Sequence, residues 1–80
     1  MIRDYLMSSL IRRKEEYWYV SGSALKEFRL AAGLSQRALA DMIKAATGLE
    51  IAQQTISNAE HEFETPFEKA VAFSMAKIFS

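Results

Sequence analysis

The stretch LKEFRLAAGLSQRALADMI, residues 25–43, carries two apolar stripes separated by a single glycine. Leu25, Phe28, Arg29 and Ala32 recur at helical spacing and predict a helix with one inward face, capped by Ser23. Gly33 ends that helix, and Leu34 falls where an apolar residue packs back on the last turn. Ser35 caps a second helix with Leu39, Met42, Ile43 and Ala46 as its buried stripe. The good helix formers of KAAT extend it by more than one turn, until Thr47-Gly48 closes it.

Outward toward the C-terminus, Leu49-Glu50-Ile51 make a short connection to a third helix over roughly 52–61, most of it in the stretch IAQQTISNAE, residues 51–60. There Ile56 and Ala59, with Ala52 one turn earlier, fall on one side, and Gln53, Gln54, Ser57 and Asn58 on the other. HEFE reads as a polar loop around one aromatic. Thr65-Pro66-Phe67-Glu68 has the form of a helix start: a Thr cap, Pro at the first position and Glu three residues after the cap. Phe67, Ala70, Val71, Ser74, Met75 and Ile78 keep the fourth helix amphipathic to the end. Toward the N-terminus, Ile2, Leu6, Leu10 and Arg13 fit a short helix, whereas YWYV, residues 17–20, is aromatic and β-branched and suits an extended segment. The expectation is an all-α fold: a bundle of four core helices over 23–80, with residues 1–22 as an N-terminal extension of helix or short strand.

Eighty residues make one domain. Half are hydrophobic, enough for a core. The absence of Cys removes disulfides, thiolate metal sites and thiol catalysis, and fits a reducing cytoplasm. No apolar run is long enough to cross a bilayer, and MIRDYLMSSLIRRKEE does not read as a secretory signal. Ten basic residues balance ten acidic ones. Neutral balance argues against a nucleic-acid binder unless the charges are segregated, because phosphate contacts supply most of the affinity. They are segregated: residues 50–68 hold Glu50, Glu60, Glu62, Glu64 and Glu68 and no Lys or Arg.

The elements from Ser23 to Ile78 resemble the lambda repressor/Cro-like, or Xre-type, helix-turn-helix proteins. The resemblance rests on Leu25 and Arg29 of the first helix, GLSQ with the following Leu39-Ala40, QQTIS with Glu60, and the amphipathic helix after the Thr-Pro start. It implies a helix-turn-helix fold that places residues 52–61 in the major groove of DNA. Gln53, Gln54, Ser57 and Asn58 would be the base-reading side. Ser35 and Gln36 would touch a phosphate at the start of the second helix, and Thr55 the backbone. Arg29 and Glu60 match a family pair that forms a partly buried salt bridge. Their own positions demand the same, since a charge on an apolar stripe needs a partner. Three features depart from the family pattern. Ile43 to Gln53 spans ten residues, about six more than usual. The common Glu-Asn-Gly after the recognition helix is Glu-His-Glu here. The N-terminal extension lies outside the motif.

Glutamine and asparagine amides can pair with adenine N6 and N7, and an uncharged face suits close approach to bases. Lys26, Arg37 and Lys44 are candidate phosphate contacts, Arg37 being the best placed; RRK, residues 12–14, is either a DNA-contacting arm or a mixed exposed face with Glu15-Glu16. Tyr17, Trp18 and Tyr19 either cover the core or make a dimer contact, and the last helix, with Phe73, Met75 and Phe79, is a second candidate interface. His61 with Glu62 and Glu64 lacks metal-ligand spacing, and the chain carries no phosphate loop or nucleophile elbow. The expectation is therefore a cytoplasmic, homodimeric regulator of phage or bacterial type on a palindromic operator, with no catalysis, cofactor or metal. The alternative is a protein-interaction module on the same fold, antitoxin-like or anti-repressor.

Overall fold

A computed structural model describes residues 8–80. Ile2 and Leu6 of the expected N-terminal helix, and the basic Arg3, lie outside the described residues. Residues 8–10 are helical, and two strands follow: β1 (Ile11–Lys14) and β2 (Tyr17–Ser21). Three helices come next, α1 (Gly22–Ala31), α2 (Gln36–Thr47) and α3 (Gln53–His61). A third strand, β3 (Glu64–Phe67), precedes the last helix, α4 (Lys69–Phe79).

The fold is therefore mixed, not all-α. The strands form an antiparallel sheet in the order β1-β2-β3, with Arg13 opposite Trp18 and Trp18 opposite Phe67. Alternation along β2 turns Trp18 and Val20 toward the helices and Tyr17 and Tyr19 away. Val20 is fully buried, and the ring of Trp18 meets Phe73 of α4 edge-on, centroids 4.8 Å apart. Arg13 and Lys69 both lie over the Trp18 ring. The aromatic run thus covers the core from a strand, and RRK belongs to β1. Arg13 is in that strand, not in a helix continuing from Leu10.

The fourth helix does not start at Thr65. Glu64–Phe67 is a strand, and α4 begins at Lys69 after Glu68, which makes no side-chain capping bond. Proline favours extended backbone in the residue before it, which suits Thr65 to a strand. β3 lies at the sheet edge, where the missing N–H of Pro66 costs no ladder bond.

At α1 the cap is Ser21, not Ser23: its hydroxyl accepts from the Ala24 amide at 3.3 Å. Gly22 cannot carry a side chain, because a Cβ there would run into the carbonyl oxygens of Ala59 and Glu62 at the end of α3. Its amide donates to Phe63 O at 3.2 Å, so the end of α3 closes onto the start of α1. The C-terminus of α1 is a paired-bond cap, Leu34 N to Arg29 O and Gly33 N to Leu30 O. Leu34 packs against the core as expected. α2 runs through KAAT to a left-handed Gly48, as its sequence predicts.

One core joins all these elements. Leu25 of α1, Leu39 and Ile43 of α2, Ile56 and Ala59 of α3, and Val71, Ala72 and Met75 of α4 meet Leu10, Ile11 and Val20. Four expected inward residues are exposed instead: Ala32, Met42, Ala46 and Ala52. Ala70 is exposed too. No helix among the described residues is long and apolar enough to cross a membrane.

Candidate functional site

Of the residues singled out in the sequence, Arg29, Gln36 and Glu60 are brought together at the end of α3, and Gln53, Gln54, Thr55, Ser57 and Asn58 lie on it. Its inner side is short, with only Ile56 and Ala59 buried. Two apolar anchors hold a nine-residue helix weakly, and a polar clamp at its end adds what they lack. Arg29 Nε reaches Glu60 Oε2 at 2.6 Å and Arg29 Nη2 reaches Oε1 at 3.0 Å, a two-pronged pair. The side chains are 9% and 2% exposed, so the pair is sheltered from water. Arg29 Nη1 donates to Leu34 O at 2.8 Å, and Gln36 Nε2 donates to Glu60 Oε1 at 3.2 Å. The clamp therefore ties the end of α1, the turn after it, the first residue of α2 and the last turn of α3.

Burial by itself pushes the Glu60 carboxyl up. The hydrogen bonds from Arg29 and Gln36, with the charges of Arg29 and Lys26, outweigh burial and hold it below its ordinary value. The hydrogen bond to Glu60 holds the Arg29 guanidinium above its ordinary value against the opposing effect of burial. Both groups are charged at neutral pH.

The outer side of α3 is uncharged amide and hydroxyl. Gln53, Gln54, Thr55 and Asn58 are exposed and Ser57 is half-buried. Gln54 Nε2 donates to Asn58 Oδ1 at 2.9 Å, and His61 Nδ1 lies 2.7 Å from Ser57 O. α3 has Ala52 as its cap residue, with no side-chain cap bond; Thr55 N donates to Ala52 O at 3.0 Å, which leaves the Gln53 and Gln54 amides open to an external acceptor.

The expected phosphate contacts divide. Arg37 is exposed and makes no ion pair among the described residues. Lys44 is exposed and lies 3.4 Å from Glu50. Ser35 is occupied as the cap of α2, its hydroxyl accepting from Ala38 N at 3.0 Å, and Gln36 is occupied by Glu60. Gln36 is thus a clamp residue, a role its place at the head of α2 did not reveal. The RRK segment divides as well: Arg12 pairs with Glu64 at 2.6 Å across the sheet and Arg13 lies on Trp18. Of the helix considered for an interface, Met75 is fully buried and Phe73 and Phe79 are packed on the core. A shallow apolar groove of about 860 Å³ between α2 and α4 is lined by Met42, Ala45, Ala46, Phe73 and Ile78.

Comparison with protein-family models, with curated proteins and with solved structures finds no match to this chain.

Proposed function

We propose that this protein is a sequence-specific DNA-binding regulator of Xre type that reads the major groove with α3. The observation that carries the reading is the clamp: the sheltered Arg29–Glu60 pair, with half-buried Gln36, fixes α3 on α1 and α2 while its amide side stays exposed. A recognition helix needs that combination, since its base contacts depend on a rigid presentation. Gln53, Gln54, Ser57 and Asn58 face the bases in this account. Arg37, Lys44, Thr55 and the open amides at the start of α3 hold the phosphates. The protein acts in the cytoplasm, as a homodimer on a palindromic operator, because one nine-residue helix gives weak binding alone. Its role is binding, with no catalytic step and no cofactor.

Equilibrium binding to duplexes selected from a random pool tests this. Gln54→Ala should relax the preference at one base pair by about 1–3 kcal/mol. Arg37→Ala should weaken all duplexes alike and lower the salt slope by about 1. Binding that ignores both salt and sequence would end the proposal.

A second reading has its own observation. Phe63 is 87% exposed, between Glu62 and Glu64, in a segment with no Lys or Arg. An exposed aromatic in an acidic setting favours a protein partner over DNA at that end of α3. On this reading the chain is an interaction module. Phe63→Ala would then abolish partner binding, and the salt slope on DNA would be flat.

A further inference from the structure

One contact on the exposed side of α3 narrows which bases it would meet; this inference rests on the DNA-reading proposal above. Gln54 Nε2 donates to Asn58 Oδ1 at 2.9 Å. Both side chains are exposed and one turn apart, and each has the other as its side-chain partner among the described residues. A free amide side chain offers two N–H donors and one acceptor oxygen. The bond between them changes what is left to offer. Gln54 keeps its carbonyl oxygen and one N–H, the acceptor and donor that match adenine N6 and N7. Asn58 has one of the two lone pairs of its oxygen taken by Gln54 and keeps two N–H donors. Those match guanine, which presents only the acceptors O6 and N7 in the major groove. Adenine at that position would have to share the Asn58 oxygen with Gln54 or set its N6 amino group against the Asn58 amino group.

We infer that Gln54 and Asn58 form one hydrogen-bonded reading unit that selects an adenine and a guanine within two base steps of each other. Four residues of helix rise about 6 Å, and base pairs stack about 3.4 Å apart, which sets the two-step limit. The bond also orders both side chains before DNA arrives, which reduces the entropy lost on binding.

The test is selection from a randomised duplex pool with the full 80-residue chain, followed by binding measurements on the enriched duplex. Enriched sites should carry adenine and guanine within two steps. Asn58→Ala should weaken binding roughly 5- to 150-fold and also blur the adenine preference, although Gln54 is intact. Together, Gln54→Ala and Asn58→Ala should lose less than the product of their separate losses. Asn58→Asp still accepts from Gln54 but has no donor, so it should keep adenine and shift the guanine position toward cytosine. Thermal unfolding matched to the parent shows that each variant is folded. The inference is overturned if enriched sites carry adenine at both positions, or if Asn58→Ala leaves the adenine preference whole and the losses multiply. If no sequence is enriched, DNA reading itself falls and the reading unit with it.

Discussion

Glu60 is the residue on which most of the account turns. It lies at the end of a helix with two buried apolar residues, and its carboxylate receives N–H groups from Arg29 and Gln36. Removing the guanidinium by Arg29→Ala leaves a sheltered carboxylate with only the Gln36 bond and the charge of Lys26 to offset its burial. The expected loss is about 3–5 kcal/mol in urea unfolding at pH 7. The same pair sets a pH dependence. The folded value of Glu60 is depressed, so its stabilisation is fully present above the ordinary carboxylate range. It is lost as pH falls through the depressed value. The stability gap between the parent and Glu60→Gln should therefore be widest at neutral pH and narrow in acid; a gap independent of pH would contradict the depressed value. Gly22 makes a separate demand. Gly22→Ala should cost about 3 kcal/mol, because the obstructing atoms are backbone carbonyls of α3 that cannot swing aside.

At the scale of elements, the helices were legible and the sheet was not. α1 and α2 follow from apolar spacing, a serine cap and a glycine stop, all between Ser21 and Gly48. Among the strands, only β2 carries a local signal, the aromatic and β-branched YWYV that reads as extended. β1 and β3 have four residues each and β2 has five. The two-residue turn between β1 and β2 is Glu15-Glu16, where hairpins favour Asn or Gly, and Glu15 takes a left-handed φ of 59°. β2 pairs with β3 more than forty residues away, beyond the reach of a local pattern. Thr65-Pro66-Phe67-Glu68 then satisfies a helix-start rule while folding as an edge strand, because tertiary pairing outweighs a cap worth about 1 kcal/mol. Thr65 provides a test whose sign separates the two structures. Its hydroxyl is buried and has no hydrogen-bond partner among the described residues. In the sheet, Thr65→Val should stabilise by about 1 kcal/mol, by removing an unsatisfied polar group and adding strand preference. Were Thr65 a helix cap, the same change would destabilise by about 1 kcal/mol. Thermal unfolding of the variant reads the sign.

On the scale of the whole molecule, the sheet joins the N-terminal segment to the chain between α3 and α4. Arg12 and Glu64 pair across it, and Gly22 lies against the loop that follows α3. α3 is thus held from the clamp side and from the sheet side, and the connection over 48–52 begins with Leu49 N donating to Thr47 Oγ1 at 3.0 Å. The candidate site was partly legible. Arg29 and Glu60 stood out because charges on apolar stripes need partners, and the amide side of α3 stood out by spacing. Ser35 is the cap of α2 that its sequence predicts; the engagement of Gln36 with Glu60 was not legible, because clamping uses the same amide that would touch a phosphate. The central claim is that the exposed side of α3 is the surface that meets DNA. Amide chemical-shift mapping during titration with a selected duplex tests it most directly. The largest shifts are expected at Gln53, Gln54, Thr55 and Asn58, with Arg37 following and the sheet unmoved. Shifts centred on Phe63 or on Tyr17 and Tyr19, with α3 silent, would contradict it.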